Sequence, residues 1–228
     1  MPVPYGVCDG SDHSLTSTQI GPMDVHEALD AWQSQYSGQP PVGFMLRFTH
    51  AAVWTRIHDL RDASDSANGS SHEATVVSRF DAVASALFTG TTVLVLGIHL
   101  DPRREETAEL RAMGASTITP PDGWLDALGD YLTDTHRAEF VATTLSWQRG
   151  CMDRVWLAVA REQVGRIAVF CPATGDAFCP YGGGADIFVW GSERRSKLGE
   201  RIRTWLPGKG TTTSLSSRMP NGMVAERS

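Results

Sequence analysis

Two segments of the chain show most clearly the apolar spacing of an amphipathic helix. The first begins at Asp24, whose side chain can accept a backbone N–H at a helix N-terminus, and it ends before Gly38. The second begins at Ser70, which has the spacing of a capping box with Glu73, and it ends before Gly90. The same periodicity predicts four further helices, and Ser192 is expected to cap the last of them. The predicted helices are bounded by positions 24 and 38, 70 and 90, 105 and 113, 124 and 132, 152 and 163, and 192 and 207.

Other segments have the alternating or uniformly apolar pattern of β-strands. Residues 93–98 are apolar throughout, which is typical of a central strand covered on both faces. Residues 53–60 alternate between two sets of side chains, and their short link to residues 42–48 predicts an antiparallel pair. Near the C-terminus, three short strands predict a β-meander. The predicted strands cover residues 42–48, 53–60, 93–98, 140–147, 166–171, 177–180 and 185–190.

The order of these elements predicts an α+β fold. We expect a single layered domain with a mainly antiparallel sheet flanked by helices, in which a C-terminal β-meander is followed by a helix. Consecutive strands favour this fold over a doubly wound one, which requires strands that alternate with helices. A chain of 228 residues suits one such domain, predicted to span 23–207. Residues 1–22 and 208–228 are rich in small polar side chains and are predicted to be flexible tails.

Composition narrows the classes of function. The net charge of −6 argues against nucleic-acid binding, which needs a basic surface. The longest apolar run is too short to span a membrane and no signal peptide is recognisable, so we predict a cytoplasmic protein without a membrane association. In that reducing compartment the four cysteines are expected to be free thiols. A disulfide between Cys171 and Cys179, across the hairpin that they flank, is the alternative.

The glycine-rich segment of the meander has the most specific local pattern. Tyr181 is followed by three glycines, the last two being Gly183 and Gly184, and then by Asp186 at the start of an apolar strand. Glycines permit positive φ angles and the close approach of a ligand or a second backbone. The residues favour a tight turn in which Asp186 accepts turn N–H groups, and the alternative is an anion-binding nest.

Arg56 and His58 form the second candidate group. They share one face of a predicted strand with Trp54, which suggests a basic and aromatic patch. The pair His58-Asp59 also occurs in metal hydrolases, but there it lies on a helix, so we predict a structural histidine. Cys151 near a predicted helix start could have a lowered pKa. Because typical metal-ligand, phosphate-loop and nucleophile spacings are missing from the sequence, we predict no metal, no cofactor and no identifiable catalytic residue.

Taken together, these segments resemble DUF3885, a bacterial protein family of unknown function. The resemblance is carried by Arg-Ile-His-x-Leu at 56–60, by a helix containing Arg79-Phe80, and by Pro-Tyr-x-Gly-Gly-Ala-Asp-Ile-Phe at 180–188. Where the family usually has Asp after the tyrosine, this chain has Gly182, which weighs against a role that needs two carboxylates. The resemblance implies a bacterial origin and no particular activity.

Two hypotheses of function follow. The first is a non-catalytic binding or interaction protein with a protein partner, for instance an immunity-type protein that neutralises a toxin. The acidic charge and the lack of catalytic motifs favour it. The second is a small-molecule-binding enzyme with a site around Tyr181 and Asp186. It requires these two side chains to meet Arg56 or His58 in one cleft.

Overall fold

In the computed structural model, the described residues form one antiparallel sheet of seven strands. The structure describes residues 23–58, 72–100, 107–129, 132, 138–164 and 166–206. The strand order is β1-β7-β6-β5-β2-β4-β3. The strands are β1 (Trp54–His58), β2 (Thr92–His99), β3 (Ser116–Ile118), β4 (Glu139–Ser146), β5 (Arg166–Phe170), β6 (Ala177–Tyr181) and β7 (Gly184–Phe188).

Helices cover both faces of this sheet. α3, α4, α6 and α7 contribute to a first hydrophobic core on one face, and α1, α2 and α5 contribute to a second core on the other. The predicted α+β fold with a mainly antiparallel sheet is therefore confirmed. The helices are α1 (Val25–Gln35), α2 (Gly43–Thr49), α3 (His72–Phe88), α4 (Ala108–Ala112), α5 (Trp124–Ala127), α6 (Asp153–Ala160) and α7 (Ser192–Arg201).

Strand β2 lies between the two cores. Val93 and Val95 enter the first core, whereas Leu94, Leu96 and Ile98 enter the second. Successive side chains of a strand point to opposite faces, so a strand covered on both sides must be apolar at every position. The prediction of a central strand at residues 93–98 is confirmed.

The predicted β-meander and the helix after it are also confirmed. β6 pairs with β7 from Ala177, which lies opposite Phe188, to Tyr181, which lies opposite Gly184. β5 in turn pairs with β6. The expectation that Ser192 caps the last helix was wrong. Extended backbone continues through Gly191 (φ −94°, ψ 127°), which is the N-cap residue of α7 and has no side chain to bond.

The largest departure from prediction is at residues 42–48, where a strand was expected and helix α2 is found. β1 pairs with β7 instead of with this segment. Leu46 is fully buried whereas Phe48 is 71% exposed, the one-sided burial of a helix lying on a sheet. A short apolar run fits a buried helix as well as a strand, so periodicity alone did not distinguish them.

Between β2 and β4 the sequence predicted the secondary structure less completely. The helices expected at 105–113 and 124–132 are the short α4 and α5, and β3 was not predicted. Two of the three β3 residues, Ser116 and Thr117, are exposed, so no apolar alternation marks this strand.

Several predictions concern parts of the chain outside the described residues. The two tails and the capping residue Ser70 lie there, so the domain limits of 23–207 stay a prediction. Cys171 and Cys179 are described, are free thiols and enter opposite cores, which excludes a disulfide between them. Across the described ranges, no helix is long and apolar enough to cross a membrane.

A substitution of Phe178 tests whether its ring stabilises the first core. Its ring is fully buried, with its centroid 5.7 Å from that of Phe80 and 5.6 Å from that of Trp156. Phe178→Ala should lower the free energy of unfolding by about 3–5 kcal/mol, measured by urea denaturation. Phe48→Ala, on a side chain 71% exposed, is the matched control and should change it by less than about 0.5 kcal/mol. Equal effects would contradict the assigned core.

Tyr36 makes the stability of the second core depend on pH. Its buried hydroxyl donates to the carbonyl of Gly175 at 2.9 Å. Burial raises the pKa of Tyr36 far above its ordinary value of 10.0. At high pH the unfolded chain therefore loses a proton that the folded protein keeps, and stability falls as pH rises above about 10.

Tyr36→Phe tests this linkage. The variant should lose about 1 kcal/mol at neutral pH, because one buried hydrogen bond is removed. Since phenylalanine does not titrate, the difference from the wild type should shrink towards zero by about pH 11. Urea denaturation at both pH values measures it, and a constant difference would contradict the assignment.

Candidate functional site

The candidate site is a pocket that lies where two neighbouring strands separate. β5 and β6 pair at Phe170–Ala177 and Val169–Phe178, and their described residues form no pair beyond Val169–Phe178. A pocket of about 530 Å³ lies next to this gap. Its polar lining side chains are those of Arg56, Glu162, Arg166, Tyr181 and Asp186, and its apolar ones include those of Val42, Phe44, Ile98, Leu100, Val164, Ile167 and Pro180.

Pro180 explains the separation of the strands. On the β5–β6 hairpin, Cys171 donates its N–H to the carbonyl of Asp176 at 2.9 Å. Hydrogen-bonded pairs recur at every second position of an antiparallel ladder, so Ile167 and Pro180 would form such a pair. Pro180 has no N–H to donate, and the ladder ends before it. The sequence of β6 thus places an opening inside the sheet.

Asp186 is a buried carboxylate that accepts hydrogen bonds from two side chains. It is 2% exposed and lies opposite Arg56 in the β1–β7 register. Oδ1 accepts from Trp54 Nε1 at 2.8 Å and from Arg56 Nε at 2.8 Å, and Oδ2 accepts from Arg56 Nη2 at 3.1 Å. The expectation that Asp186 accepts turn N–H groups was wrong, because Asp186 lies within β7 and not in the turn. Its role is that of a bidentate partner for Arg56.

Two aromatic rings fix the Arg56 guanidinium. Arg56 Cζ lies 5.4 Å from the ring centroid of Trp54 and 5.5 Å from that of Tyr181, both within the range of cation–π attraction. With the Asp186 carboxylate, these rings leave the guanidinium little freedom to move. Arg56, Tyr181 and Asp186, three of the residues singled out in the sequence, are therefore brought together on one wall of the pocket.

The other three residues singled out in the sequence, His58, Gly183 and Gly184, do not line the pocket. His58 is exposed at the end of β1, opposite Gly184. Gly182 and Gly183 form the tight turn between β6 and β7, as the sequence favoured, and Gly184 begins β7 with a φ of 142°. A Cβ at Gly182 would lie 2.7 Å from Glu162 Cγ. A larger residue there would require the exposed Glu162 side chain to move.

Helix α2 forms a wall of the pocket. A Cβ at Gly43 would lie 2.9 Å from Cys179 Cβ and 3.0 Å from Asp186 Cβ, so the helix approaches the sheet this closely only with glycine at its first position. At the next residue, the Phe44 ring centroid lies 5.5 Å from Arg166 Cζ. Sequence reasoning missed Gly43, Phe44 and Arg166. A glycine at the start of an apolar segment was the one available signal.

Burial raises the pKa values of two further groups in the pocket. It raises the pKa of the Cys179 thiol well above 9.0, and the Asp186 charge adds to this effect. Burial also raises the pKa of Tyr181 above 10.0, although Arg56 acts in the opposite direction. A neutral thiol is a weak nucleophile, while a neutral phenol is a hydrogen-bond donor. Burial likewise raises the pKa of Cys151, so the lowered value suggested by its position was wrong.

The fold and the site define an α+β protein with helices on both faces of an antiparallel sheet and a ligand-sized pocket at a break in that sheet. The family model of DUF3885, a domain of unknown function, matches residues 32–209. The chain belongs to this family, as the resemblance of its sequence indicated, and the match includes all the pocket residues. No curated protein and no solved structure matches the chain. Across the described ranges, no three His, Cys, Asp or Glu side chains form a group that could hold a metal ion.

Asp186→Asn tests the Arg56–Asp186 pair. The variant should lower the free energy of unfolding by about 3 kcal/mol, because it leaves the largely buried Arg56 charge without a counterion. Asp30→Asn, at an exposed position in α1, is the matched control and should change it by less than about 0.5 kcal/mol. Chemical denaturation measures both. An effect of Asp186→Asn as small as that of the control would show that the pair does not stabilise the sheet.

Proposed function

We propose that the protein binds a small organic molecule in the pocket between β5 and β6. The observation that carries the proposal is the convergence of Arg56, Tyr181 and Asp186 on a largely apolar pocket of about 530 Å³. Ligand sites of proteins are typically of this size and combine apolar walls with a few oriented polar groups. The sheet and α2 hold these groups before a ligand arrives, which lowers the entropy cost of binding.

The chemistry of the pocket favours binding over a reaction. A catalytic site needs a group activated as a base or a nucleophile. Both oxygens of Asp186 already accept hydrogen bonds, and burial keeps the Cys179 thiol protonated. These two groups are suited to building the site, and we therefore propose a binding protein and not an enzyme.

Interaction with another protein is a second candidate function. Phe48 is 71% exposed and Trp190 is 40% exposed, and large exposed aromatic side chains can anchor an interface. The His50 ring centroid lies 5.8 Å from that of Trp190, which limits the freedom of the indole. An immunity-type protein would be one form of this function. Neither Phe48 nor Trp190 lines the pocket, so the two candidates are separable by mutation.

A bacterial, cytoplasmic protein is also part of the proposal. The acidic composition and the resemblance described above motivate it. The free thiols of Cys171 and Cys179 are compatible with a reducing compartment. Nothing in the proposed binding role depends on this location.

Leu100→Trp tests the binding function. Leu100 lines the pocket, and a tryptophan at this position would fill part of its volume. Leu125→Trp, at a position 46% exposed and outside the pocket lining, is the matched control. Neutral indole serves as the probe in ligand-observed NMR. Indole should bind the wild type and the control, and Leu100→Trp should weaken binding by about tenfold or more, equivalent to about 1.4 kcal/mol.

Circular dichroism should show that both variants are folded. Equal indole binding by the two variants would place the probe outside the pocket and contradict the proposal. Failure of both indole and a charged aromatic probe to bind the wild type would contradict it as well.

A further inference from the structure

The Arg56 guanidinium retains hydrogen-bonding capacity after it has paired with Asp186. An arginine side chain carries five N–H donors. Nε and Nη2 donate to the carboxylate, and in the part of the chain that the structure describes Nη1 donates to no residue. The side chain is 21% exposed and lines the pocket. A ligand can therefore bind the remaining donors of a guanidinium that is already held in place.

Tyr181 supplies a second donor beside Arg56. Across the described ranges its hydroxyl has no hydrogen-bond partner, although the residue is partly buried. Burial raises the pKa of Tyr181, so the hydroxyl keeps its proton at neutral pH. The positive charges of Arg56 and Arg47 act to lower this pKa, and the negative charge of Asp186 acts to raise it. The Tyr181 hydroxyl is thus a protonated donor that is suited to a hydrogen-bond acceptor.

The remaining walls of the pocket determine which chemical groups the rest of the ligand can have. Ile98, Leu100 and Val164 are apolar and offer no hydrogen bond from their side chains. Arg166 adds a positive charge on the wall that it forms with Phe44, and Glu162, which also lines the pocket, adds a negative one. Such a pocket suits a compact molecule with an apolar body and one acidic group.

We propose that the pocket binds an organic acid, whose carboxylate accepts hydrogen bonds from Arg56 and Tyr181 and whose apolar body lies against Ile98 and Leu100. This assignment rests on the proposed binding function and names its class of ligand. A carboxylate is an acceptor-only group whose two oxygens match the paired N–H groups of a guanidinium. The Asp186 carboxylate binds one side of the same guanidinium and orients it for the ligand.

Benzoate and benzamide test the assignment because they share a ring and differ in charge. In NMR titrations, benzoate should bind the wild type about tenfold or more tightly than benzamide, since hydrogen bonds to a charged group are the stronger ones. Tyr181→Phe should weaken benzoate binding by about tenfold. Tyr36→Phe, which removes a hydroxyl outside the pocket lining, is the matched control and should leave benzoate binding unchanged.

Two results would overturn the assignment. One is benzamide binding as tightly as benzoate, and the other is an unchanged benzoate affinity in Tyr181→Phe. If indole binds and Leu100→Trp weakens it while benzoate does not bind, the organic-acid assignment is rejected and the binding function stands. If neither probe binds the wild type, both proposals are rejected.

Discussion

A single missing backbone donor shapes the part of the sheet in which the site lies. β6 is an inner strand, where proline is normally excluded because every N–H is needed by a neighbouring strand. With Pro180 at that position, the described ladder to β5 ends at the pair Val169–Phe178, and a pocket lies next to the gap between the strands. Residues at the start of helix α2 form one wall of this pocket.

The Arg56–Asp186 pair joins the edge of the sheet to this opening. β1 pairs with β7 alone among the described strands, so contacts within the β1–β7 pair hold the edge in place. Trp54 and Arg56 on β1 both bind the Asp186 carboxylate, and Tyr181 on β6 lies against the same guanidinium. The side chains that stabilise the edge are thus the side chains that shape the pocket.

Much of the fold could be predicted from the sequence because its signals are local. The Asp24 side chain does accept the N–H of His26, and residues 93–98 are indeed covered on both faces. The candidate site was only partly predictable. Arg56 and Asp186 are 130 positions apart, and their contact depends on a β1–β7 pairing that no short-range pattern specifies. The pocket wall formed by α2 was missed because a short apolar run has the same pattern in a buried helix and in a strand.

The glycine after Tyr181 has a consequence for where negative charge lies beside the turn. In this chain, Glu162 approaches the turn so closely that even a methyl group at position 182 would collide with it. An aspartate at this position, which the resemblance to the family implies, would require the exposed Glu162 side chain to take another direction. In this chain the negative charge beside the turn is therefore supplied by the segment that follows α6 and not by the hairpin itself.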